Sequence, residues 1–148
     1  SMSHRFSKLF PPKKISSNRP VRVFLEKKPV SENFYYREDK YMYKELVQTM
    51  TSDDTLYQWR RQYVRENKSN RCPTLTANMG TGGHNVPLIR TEDGFRKLTP
   101  RECFNFQGFP QSFKLPKDLA NSHLYKQSGN SVSVPLIALL AKRIRQVL

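Results

Sequence analysis

The sequence predicts an α+β fold, in which a small, mixed, strand-rich domain is followed by a C-terminal helix. Residues 56–65 alternate their side chains with the period of two that is typical of a strand. Further on, Thr99-Pro100-Arg101-Glu102 supplies a capping threonine, a proline at the first helical position and a glutamate three residues after the cap, which predicts a helix start. Near the end, apolar side chains recur at helical spacing, at Leu136, Ile137, Leu140, Ile144 and Val147.

The composition indicates one basic domain with a modest core. The 148 residues include 26 Lys and Arg against 12 Asp and Glu, a net charge of +14, and 36% of them are hydrophobic. This charge needs an anionic partner, and nucleic acid or an anionic membrane surface both qualify before any motif is considered. No apolar run approaches the roughly 18 residues of a membrane span, and no secretory leader opens the chain. We expect a cytoplasmic protein without a membrane partner, whose two cysteines are reduced thiols.

The first third of the chain contains few clear elements. Residues 1–20 combine prolines with basic side chains and predict a poorly ordered basic arm. Residues 21–25 fit either a short strand or a helical turn. A short helix is expected at about 39–49. We interpret the aromatic residues around it as core rather than as a stacking surface, namely Phe34, Tyr35, Tyr36, Tyr41 and Tyr43.

A basic hairpin is predicted for residues 57–78. If 56–65 is its first arm, one face of that strand carries Tyr57, Trp59, Arg61, Tyr63 and Arg65. Turn-forming residues follow at 67–70, and residues 72–78 form the second arm, with Pro73 favouring an edge position. A glycine-rich loop at 80–83 comes next, where the backbone can approach a ligand closely, and then a short strand at 86–89.

The last third is predicted to hold two helices. The first begins at the Thr99 cap and ends at Gly108, with Pro110 beyond it. Residues 127–131 are rich in turn-forming side chains and predict a loop. That loop leads into the C-terminal helix, which buries one apolar face and carries cations in its last turns.

The residues alone favour a nucleic-acid interface on the hairpin and the glycine-rich loop. Side chains suited to phosphate contacts are Arg60, Arg61, Arg65, Lys68 and Arg71. Side chains suited to base edges are Asn78, Thr81, His84 and Asn85, beside the close-approach glycines Gly80, Gly82 and Gly83. The alternative is a solvated charged hairpin without a ligand, which the large net charge makes less favourable.

Metal binding and cysteine catalysis find little support. Cys72 and His84 are twelve residues apart, and Cys103 and His123 are twenty apart, whereas structural zinc sites supply ligands in closely spaced pairs. Cys103 fits the apolar helix pattern as a core residue. A lowered pKa is conceivable for Cys72 beside Arg71, although nothing in the sequence indicates it. We predict no metal site and no catalytic residue in this chain.

Two blocks near the C-terminus resemble a known family. Residues 96–103 and 107–110, followed by Tyr125-Lys126-Gln127-Ser128-Gly129-Asn130-Ser131-Val132, resemble the last two conserved blocks of the DNA (cytosine-5-)-methyltransferases of bacterial restriction-modification systems. Cys72-Pro73-Thr74-Leu75-Thr76-Ala77 is similar to the Thr-Leu element of that family's target-recognition domain. The order and spacing of the blocks match as well.

The resemblance implies a domain organisation and further site residues. Residues 1–20 would be the basic arm, 21–112 the target-recognition domain, and 113–148 a linker and a helix that pack on an absent Rossmann-like catalytic domain. Thr74 and Leu75 would lie against the backbone of a cytosine flipped out of double-stranded DNA. The cofactor S-adenosylmethionine would contact Asn130, Ser131 and Val132 through free backbone N–H groups at a helix start. Arg101 and Glu102 would have a structural role.

The family's other blocks are missing from these residues. The glycine-rich cofactor block, the Pro-Cys nucleophile block and the Glu-Asn-Val block have no counterpart, and neither cysteine follows a proline. We therefore expect a chain that is inactive alone, with S-adenosylmethionine bound mainly by the missing catalytic domain or large subunit. Its C-terminal helix would expose apolar surface and favour self-association. The alternatives are a stand-alone DNA-binding or regulatory module and an RNA-binding or ribosomal-type basic protein.

Overall fold

A five-stranded antiparallel sheet organises the chain in a computed structural model that describes residues 7, 8, 10, 19–68, 71–81 and 86–148. The strand order is β1-β5-β4-β2-β3. The strands are β1 Tyr35–Tyr36, β2 Tyr57–Arg60, β3 Tyr63–Glu66, β4 Leu88–Thr91 and β5 Gly94–Lys97. Most of the basic arm predicted for residues 1–20 lies outside the described residues.

The described helices confirm the α+β class. From residue 19 onward, two short 3₁₀ turns come first, and residues 21–25 thus take the helical-turn alternative; four α-helices follow at intervals along the chain. α1 packs against β3, and α2 packs against α3. The 3₁₀ turns are Val21–Phe24 and Glu32–Phe34, and the α-helices are α1 Tyr43–Thr49, α2 Pro100–Phe106, α3 Asn121–Asn130 and α4 Val134–Val147.

The hairpin turns earlier than the sequence predicted. β2 and β3 pair with Arg60 opposite Tyr63 and Trp59 opposite Val64, so the loop consists of Arg61 and Gln62 alone. Arg61 makes the reversal possible because it adopts a φ of 52°, in the left-handed region. The predicted turn at 67–70 and second arm at 72–78 are therefore wrong; residues 69–70 lie outside the described residues.

The early turn also divides the predicted common face of the strand. The alternation of inward and outward side chains starts anew after the two-residue loop. Tyr57 and Trp59 of β2 and Val64 of β3 are therefore buried. Tyr63 and Arg65, in contrast, are exposed. Residues 72–78 run beside the hairpin without joining the sheet, and Pro73 in this segment lacks the N–H that a ladder requires.

The second hairpin, β4–β5, was predicted only in part. The expected strand at 86–89 is present as β4, shifted by two residues, whereas β5 was missed. Thr91 pairs with Gly94 across the turn, and Gly94 has a φ of 124°. Asp93-Gly94 is a strong hairpin signal that could have identified β5 from the sequence.

The predicted start of α2 is confirmed. Thr99 Oγ1 accepts from the Glu102 amide at 3.2 Å, and Glu102 Oε2 accepts from the Thr99 amide at 2.8 Å, which completes the capping box. The helix ends close to Gly108, which has a φ of 83°. Glu102, in the first turn of this helix, also forms a buried ion pair with Arg96.

The loop predicted at 127–131 is wrong, because residues 127–130 are the last turn of helix α3. Gly129 is needed here for packing. A Cβ at Gly129 would lie 2.2 Å from the carbonyl oxygen of Thr76, so only glycine allows the helix to approach that backbone. Tertiary packing has therefore overridden the turn propensity of the local sequence.

Two hydrophobic clusters fill the two faces of the sheet. Adjacent strand residues alternate between them: Leu56 and Ile89 belong to one cluster, and Tyr57 and Leu88 to the other. The first cluster also takes Leu75, Met79, Cys103 and Tyr125, and the second takes Met42, Leu46, Met50, Trp59 and Val64. The predicted core role of the aromatic region is confirmed for Phe34 and wrong for Tyr41, which is 76% exposed.

The C-terminal helix α4 leaves much of its apolar side uncovered. Leu136, Ile137 and Ile144 are exposed, as is Val132 just before the helix, while Val147 is buried. Exposure of apolar surface on this helix was predicted, although burial of the complete face was not observed. Among the described residues, no helix has both the length and the apolar character that crossing a membrane requires.

Candidate nucleic-acid interface

A cleft of about 570 Å³ lies between the first hairpin and the segment that follows it. We call it the Thr74 cleft. One wall comes from β2 and β3, and the other comes from residues 71–78, which have no regular secondary structure up to Thr76 and then enter a turn. The lining residues are Gln58, Trp59, Arg60, Arg65, Asn67, Arg71, Cys72, Pro73, Thr74, Thr76 and Asn78.

Five residues predicted to bind DNA meet in this cleft. They come from separate parts of the sequence, and the structure brings them together at Arg60, Arg65, Arg71, Thr74 and Asn78. None of the described lining residues is a carboxylate, whereas three are arginines, so the cleft has a positive potential. Its chemistry suits an anion rich in hydrogen-bond acceptors, such as a phosphodiester strand.

Hydrogen bonds hold the walls of the cleft in place. Arg65 Nη2 donates to Gln58 Oε1 at 3.0 Å across the hairpin, and Asn67 Nδ2 donates to the Arg71 carbonyl. On the other wall, Thr76 Oγ1 donates to Asn78 Oδ1 at 2.7 Å. This contact orients the Asn78 amide at the cleft edge, where both its donors and its acceptor can serve a base.

The Thr-Leu element is anchored from behind. Thr74 is exposed at the cleft, but Leu75 is buried in the first cluster, so Leu75 serves as the anchor rather than as a cleft contact. Helix α3 supports the same segment at two points four residues apart. Its Gly129 meets the Thr76 backbone, and its Tyr125 ring covers Gly80, where a Cβ would lie 2.5 Å from the ring.

The remaining predicted DNA contacts lie elsewhere. Arg61 is exposed at the hairpin tip, and Lys68 is exposed just before the residues that the structure leaves out. Gly80 has a φ of 82° and is half-buried against Tyr125, so it is a packing glycine. Gly82, Gly83, His84 and Asn85 lie outside the described residues.

Sequence reasoning missed several lining residues of the cleft. Gln58 and Asn67 escaped notice because the hairpin was placed in the wrong register, with Asn67 assigned to its turn. Thr76 was treated as part of a strand, although its hydroxyl orients Asn78. The polar alternation of Thr74, Thr76 and Asn78 is the one local signal that could have indicated a shared exposed face.

The two cysteines lack the properties of nucleophiles. Burial raises the pKa of the Cys72 thiol to about 12, so the conceivable lowering beside Arg71 is contradicted. Burial also raises the pKa of Cys103, which lies in the core as predicted. No group of three or more potential metal ligands occurs within the described part of the chain.

The proposed cofactor block does not lie at a helix start. Asn130 is the last residue of α3, and Ser131 and Val132 belong to the short link that precedes α4. Both the amide and the hydroxyl of Ser131 donate to the Ser128 carbonyl, at 3.2 and 2.7 Å, so the expected free N–H is wrong at Ser131. Asn130 and Val132 are exposed. Residues 130–132 therefore do not by themselves form a complete S-adenosylmethionine site.

The conserved blocks place the chain in a family of DNA-modifying enzymes. The chain belongs to the C-5 cytosine-specific DNA methylase family, whose sequence pattern matches residues 2–146. It is 67% identical over 116 residues to the Type II methyltransferase M.Bsp6I of Bacillus sp. (strain RFL6), covering 78% of this chain and 36% of that protein. The Type II methyltransferase M.NgoBI of Neisseria gonorrhoeae is 32% identical over 126 residues, covering 85% and 38% respectively. The predicted resemblance is thereby confirmed, and the chain spans little more than a third of these two relatives.

A solved structure supports the fold. The S. pombe Dnmt2 methyltransferase superposes with a TM-score of 0.64 at 15% sequence identity, covering 95% of this chain and 45% of that one. At this identity the similarity concerns the fold alone. The sheet and helices described above are thus an arrangement also found in a methyltransferase.

Proposed function

We propose that this chain is the DNA-recognition part of a DNA (cytosine-5-)-methyltransferase of a restriction-modification system. The observation that carries the proposal is the Thr74 cleft, which has three arginines and no carboxylate among its lining residues. Family membership and the Type II relatives support DNA as the partner. The domain assignment at 21–112 and 113–148 remains part of this proposal.

In the proposed complex, Arg60, Arg65 and Arg71 neutralise phosphates on the double-stranded DNA. Charge-assisted hydrogen bonds from guanidinium groups to phosphate are among the stronger polar contacts, and they fix register without reading sequence. Asn78 reads a base edge, since an asparagine amide matches the donor and acceptor of adenine in the major groove. Lys68, Gly82, Gly83 and His84 would extend this contact.

Thr74 lies against the backbone of the flipped cytosine in this proposal. Its exposed side chain projects from a segment that Leu75 anchors in the core. Flipping costs a few kcal/mol of unstacking, and a rigid wall beside the opened nucleotide helps to offset that cost. A bulky residue at position 74 should therefore impair target binding or methyl transfer in the assembled enzyme.

Methyl transfer itself is assigned to another part of the enzyme. Neither Cys72 nor Cys103 follows a proline, and burial keeps both thiols protonated. S-adenosylmethionine supplies the methyl group and would be bound mainly by that catalytic domain or large subunit, with Asn130, Ser131 and Val132 at the edge of its site. The exposed apolar side of α4 is the surface that would pack on the Rossmann-like domain.

The test of DNA recognition is a titration of this chain with labelled duplexes at several salt concentrations. Arg65→Ala and Arg71→Ala should weaken binding to every duplex and lower the salt slope by about 0.9 each. Asn78→Ala should instead reduce the preference between duplex sequences. Arg22→Ala is the control, since Arg22 is an exposed cation that does not line the cleft. Absence of duplex binding, or stronger binding to RNA, would contradict the proposal.

A second experiment separates an enzyme part from a stand-alone module. This chain is mixed with a chain that carries the Pro-Cys nucleophile block, and methyl transfer to mixed-sequence DNA is measured. We expect no transfer with either chain alone and transfer with both together. Duplex binding without any restored transfer would favour the stand-alone DNA-binding or regulatory module.

A further inference from the structure

A second cleft, of about 920 Å³, opens at the tip of the β2–β3 hairpin. We call it the hairpin-tip cleft. It shares Trp59, Arg60 and Arg65 with the Thr74 cleft, so the two clefts adjoin along the same hairpin. The residues that line the hairpin-tip cleft alone are Tyr41, Arg61, Gln62 and Tyr63.

The lining of this cleft is rich in donors and has no acid. Three arginines, one tryptophan and two tyrosines line this space, and none of its described lining residues is an acid. Tyr41 and Tyr63 are both large aromatic residues with exposed side chains, 76% and 55% respectively. A surface of cations and exposed aromatic rings without acids suits a polyanion that also has flat or apolar parts, as a sugar–phosphate strand does.

One donor beside the cleft lacks a partner. Trp59 is 6% exposed, and its Nε1 is buried without a hydrogen bond to any described residue. A buried unsatisfied donor is costly, and native proteins seldom keep one. The Tyr41 ring stands edge-to-face to the Trp59 ring at 5.9 Å, and because Tyr41 is 76% exposed, little of the protein packs against this ring. An acceptor on a bound ligand would then satisfy the indole N–H.

The hairpin loop has an arginine at a position whose backbone conformation favours glycine or asparagine. Arg61 has a φ of 52°, and the Gln62 amide donates to the Arg60 carbonyl at 2.5 Å across it. Glycine or asparagine would take this conformation with less strain. The Arg61 side chain is exposed and lines the cleft, so the loop presents a positive charge there at a position where glycine would fit the turn better.

We propose that the hairpin-tip cleft is a second DNA site, which binds the sugar–phosphate backbone of the duplex without reading its sequence. Trp59 Nε1 donates to a phosphate oxygen, Arg61 neutralises a phosphate, and Tyr41 and Tyr63 contact the sugars. The DNA contact thereby extends from the Thr74 cleft to the hairpin tip, with Arg60 and Arg65 shared between the two clefts. This inference rests on the proposed function, because the adjoining Thr74 cleft reads the target.

The first test uses Arg61→Gly, which removes the charge and relieves the turn. We expect this variant to unfold at the same or a higher temperature, yet to bind every duplex about tenfold more weakly at low salt. Arg22→Ala, a cation away from both clefts, should leave duplex affinity nearly unchanged. If Arg61 serves only the turn, Arg61→Gly will keep full affinity, and the inference is overturned.

The second test removes the indole N–H while retaining the ring. Trp59 is the only tryptophan of the sequence, so it can be replaced by benzothienylalanine, which has sulfur in place of the N–H. We expect about a tenfold loss of duplex affinity, equal for all sequences, with a cooperative melting curve as the check of folding. Tyr35→Phe, on a strand at the opposite edge of the sheet, is the aromatic control. Unchanged affinity would overturn the role of Trp59.

Native fluorescence of Trp59 gives an independent reading. We expect duplexes of unrelated sequence to change its emission to the same extent, and Tyr41→Ala to weaken binding without altering sequence preference. If Asn78→Ala and Arg71→Ala change DNA binding while all hairpin-tip variants do not, the inference fails and the proposed function stands. If the wild-type chain binds no duplex, both fail.

Discussion

At the scale of single residues, the buried ion pair of Arg96 and Glu102 joins three parts of the chain. Arg96 Nη1 and Nη2 donate to the two carboxylate oxygens at 2.7 and 2.8 Å, and both side chains are almost inaccessible. The same carboxylate accepts from the amides of Thr99 and Glu26. It therefore ties β5 and the first turn of α2 to the segment after the first 3₁₀ turn, which agrees with the structural role inferred for Glu102.

Loss of this carboxylate charge should destabilise the fold strongly. Glu102→Gln leaves the Arg96 guanidinium buried without its counter-charge, and we expect a loss of about 3–5 kcal/mol in the free energy of unfolding, measured by urea denaturation. Glu32→Gln is the matched control, because Glu32 pairs with Arg37 in an exposed salt bridge, and such pairs contribute little. A loss of under 1 kcal/mol for Glu102→Gln would contradict the importance of the pair.

The Cys72 thiol offers a prediction that depends on pH. Its pKa is raised to about 12 by burial, so only about one molecule in ten thousand holds a thiolate at pH 8. We expect iodoacetamide to alkylate Cys72 far more slowly than free cysteine at pH 8, with a rate that rises as the pH increases. Mass spectrometry of the native chain measures this rate, and the urea-unfolded chain provides the control. Rapid labelling of the native chain at pH 7 would contradict the raised pKa of Cys72.

At the scale of elements, helix α3 shows how packing decided against local preference. Its last turn contains Gln127, Ser128, Gly129 and Asn130, a sequence that suggested a loop. The helix persists because Gly129 lets it meet the Thr76 backbone and because the Tyr125 hydroxyl donates to the Leu98 carbonyl at 2.5 Å. The wall of the Thr74 cleft is therefore supported by a helix that sequence alone did not indicate.

Replacing Gly129 should reverse the usual effect of alanine in a helix. Glycine to alanine inside a helix ordinarily stabilises by about 1 kcal/mol, but here the added Cβ would meet the Thr76 carbonyl. We expect Gly129→Ala to destabilise by about 1–3 kcal/mol as an overpacked contact, measured by thermal and urea unfolding. Gln127→Ala, exposed on the same helix, should be neutral or slightly stabilising. A stabilising Gly129→Ala is incompatible with the close approach.

At the scale of the whole molecule, the exposed side of α4 predicts how the chain behaves without a partner. Ile137 and Ile144 lie seven residues apart on the helix and are both exposed. We expect concentration-dependent self-association in sedimentation velocity, which Ile137→Gln together with Ile144→Gln should reduce. Lys142→Gln, exposed on the same helix, is the control and should leave association unchanged. A monomer at all concentrations would refute self-association through this surface.

The sequence predicted much of the local structure of the last third of the chain. The capping box at Thr99 and the periodicity of residues 134–147 depend on neighbours within a few positions, and both were confirmed. The methyltransferase blocks were recognisable for the same reason, because each lies in a short stretch of chain. The first hairpin was harder to predict from the sequence, since its turn at Arg61 lacks the glycine or asparagine that usually marks such a loop.

The sequence by itself determined the net charge of +14, the α+β class, the capped helix and the family. Only the tertiary structure decided that Arg60, Arg65 and Arg71 share one cleft with Thr74 and Asn78, and that Arg61 faces another. The physical reason is that charge, caps and periodicity are properties of neighbouring residues. The clefts arise instead from strand pairing, from the tight turn at Arg61 and from the approach of α3 to Thr76, which join residues distant in sequence.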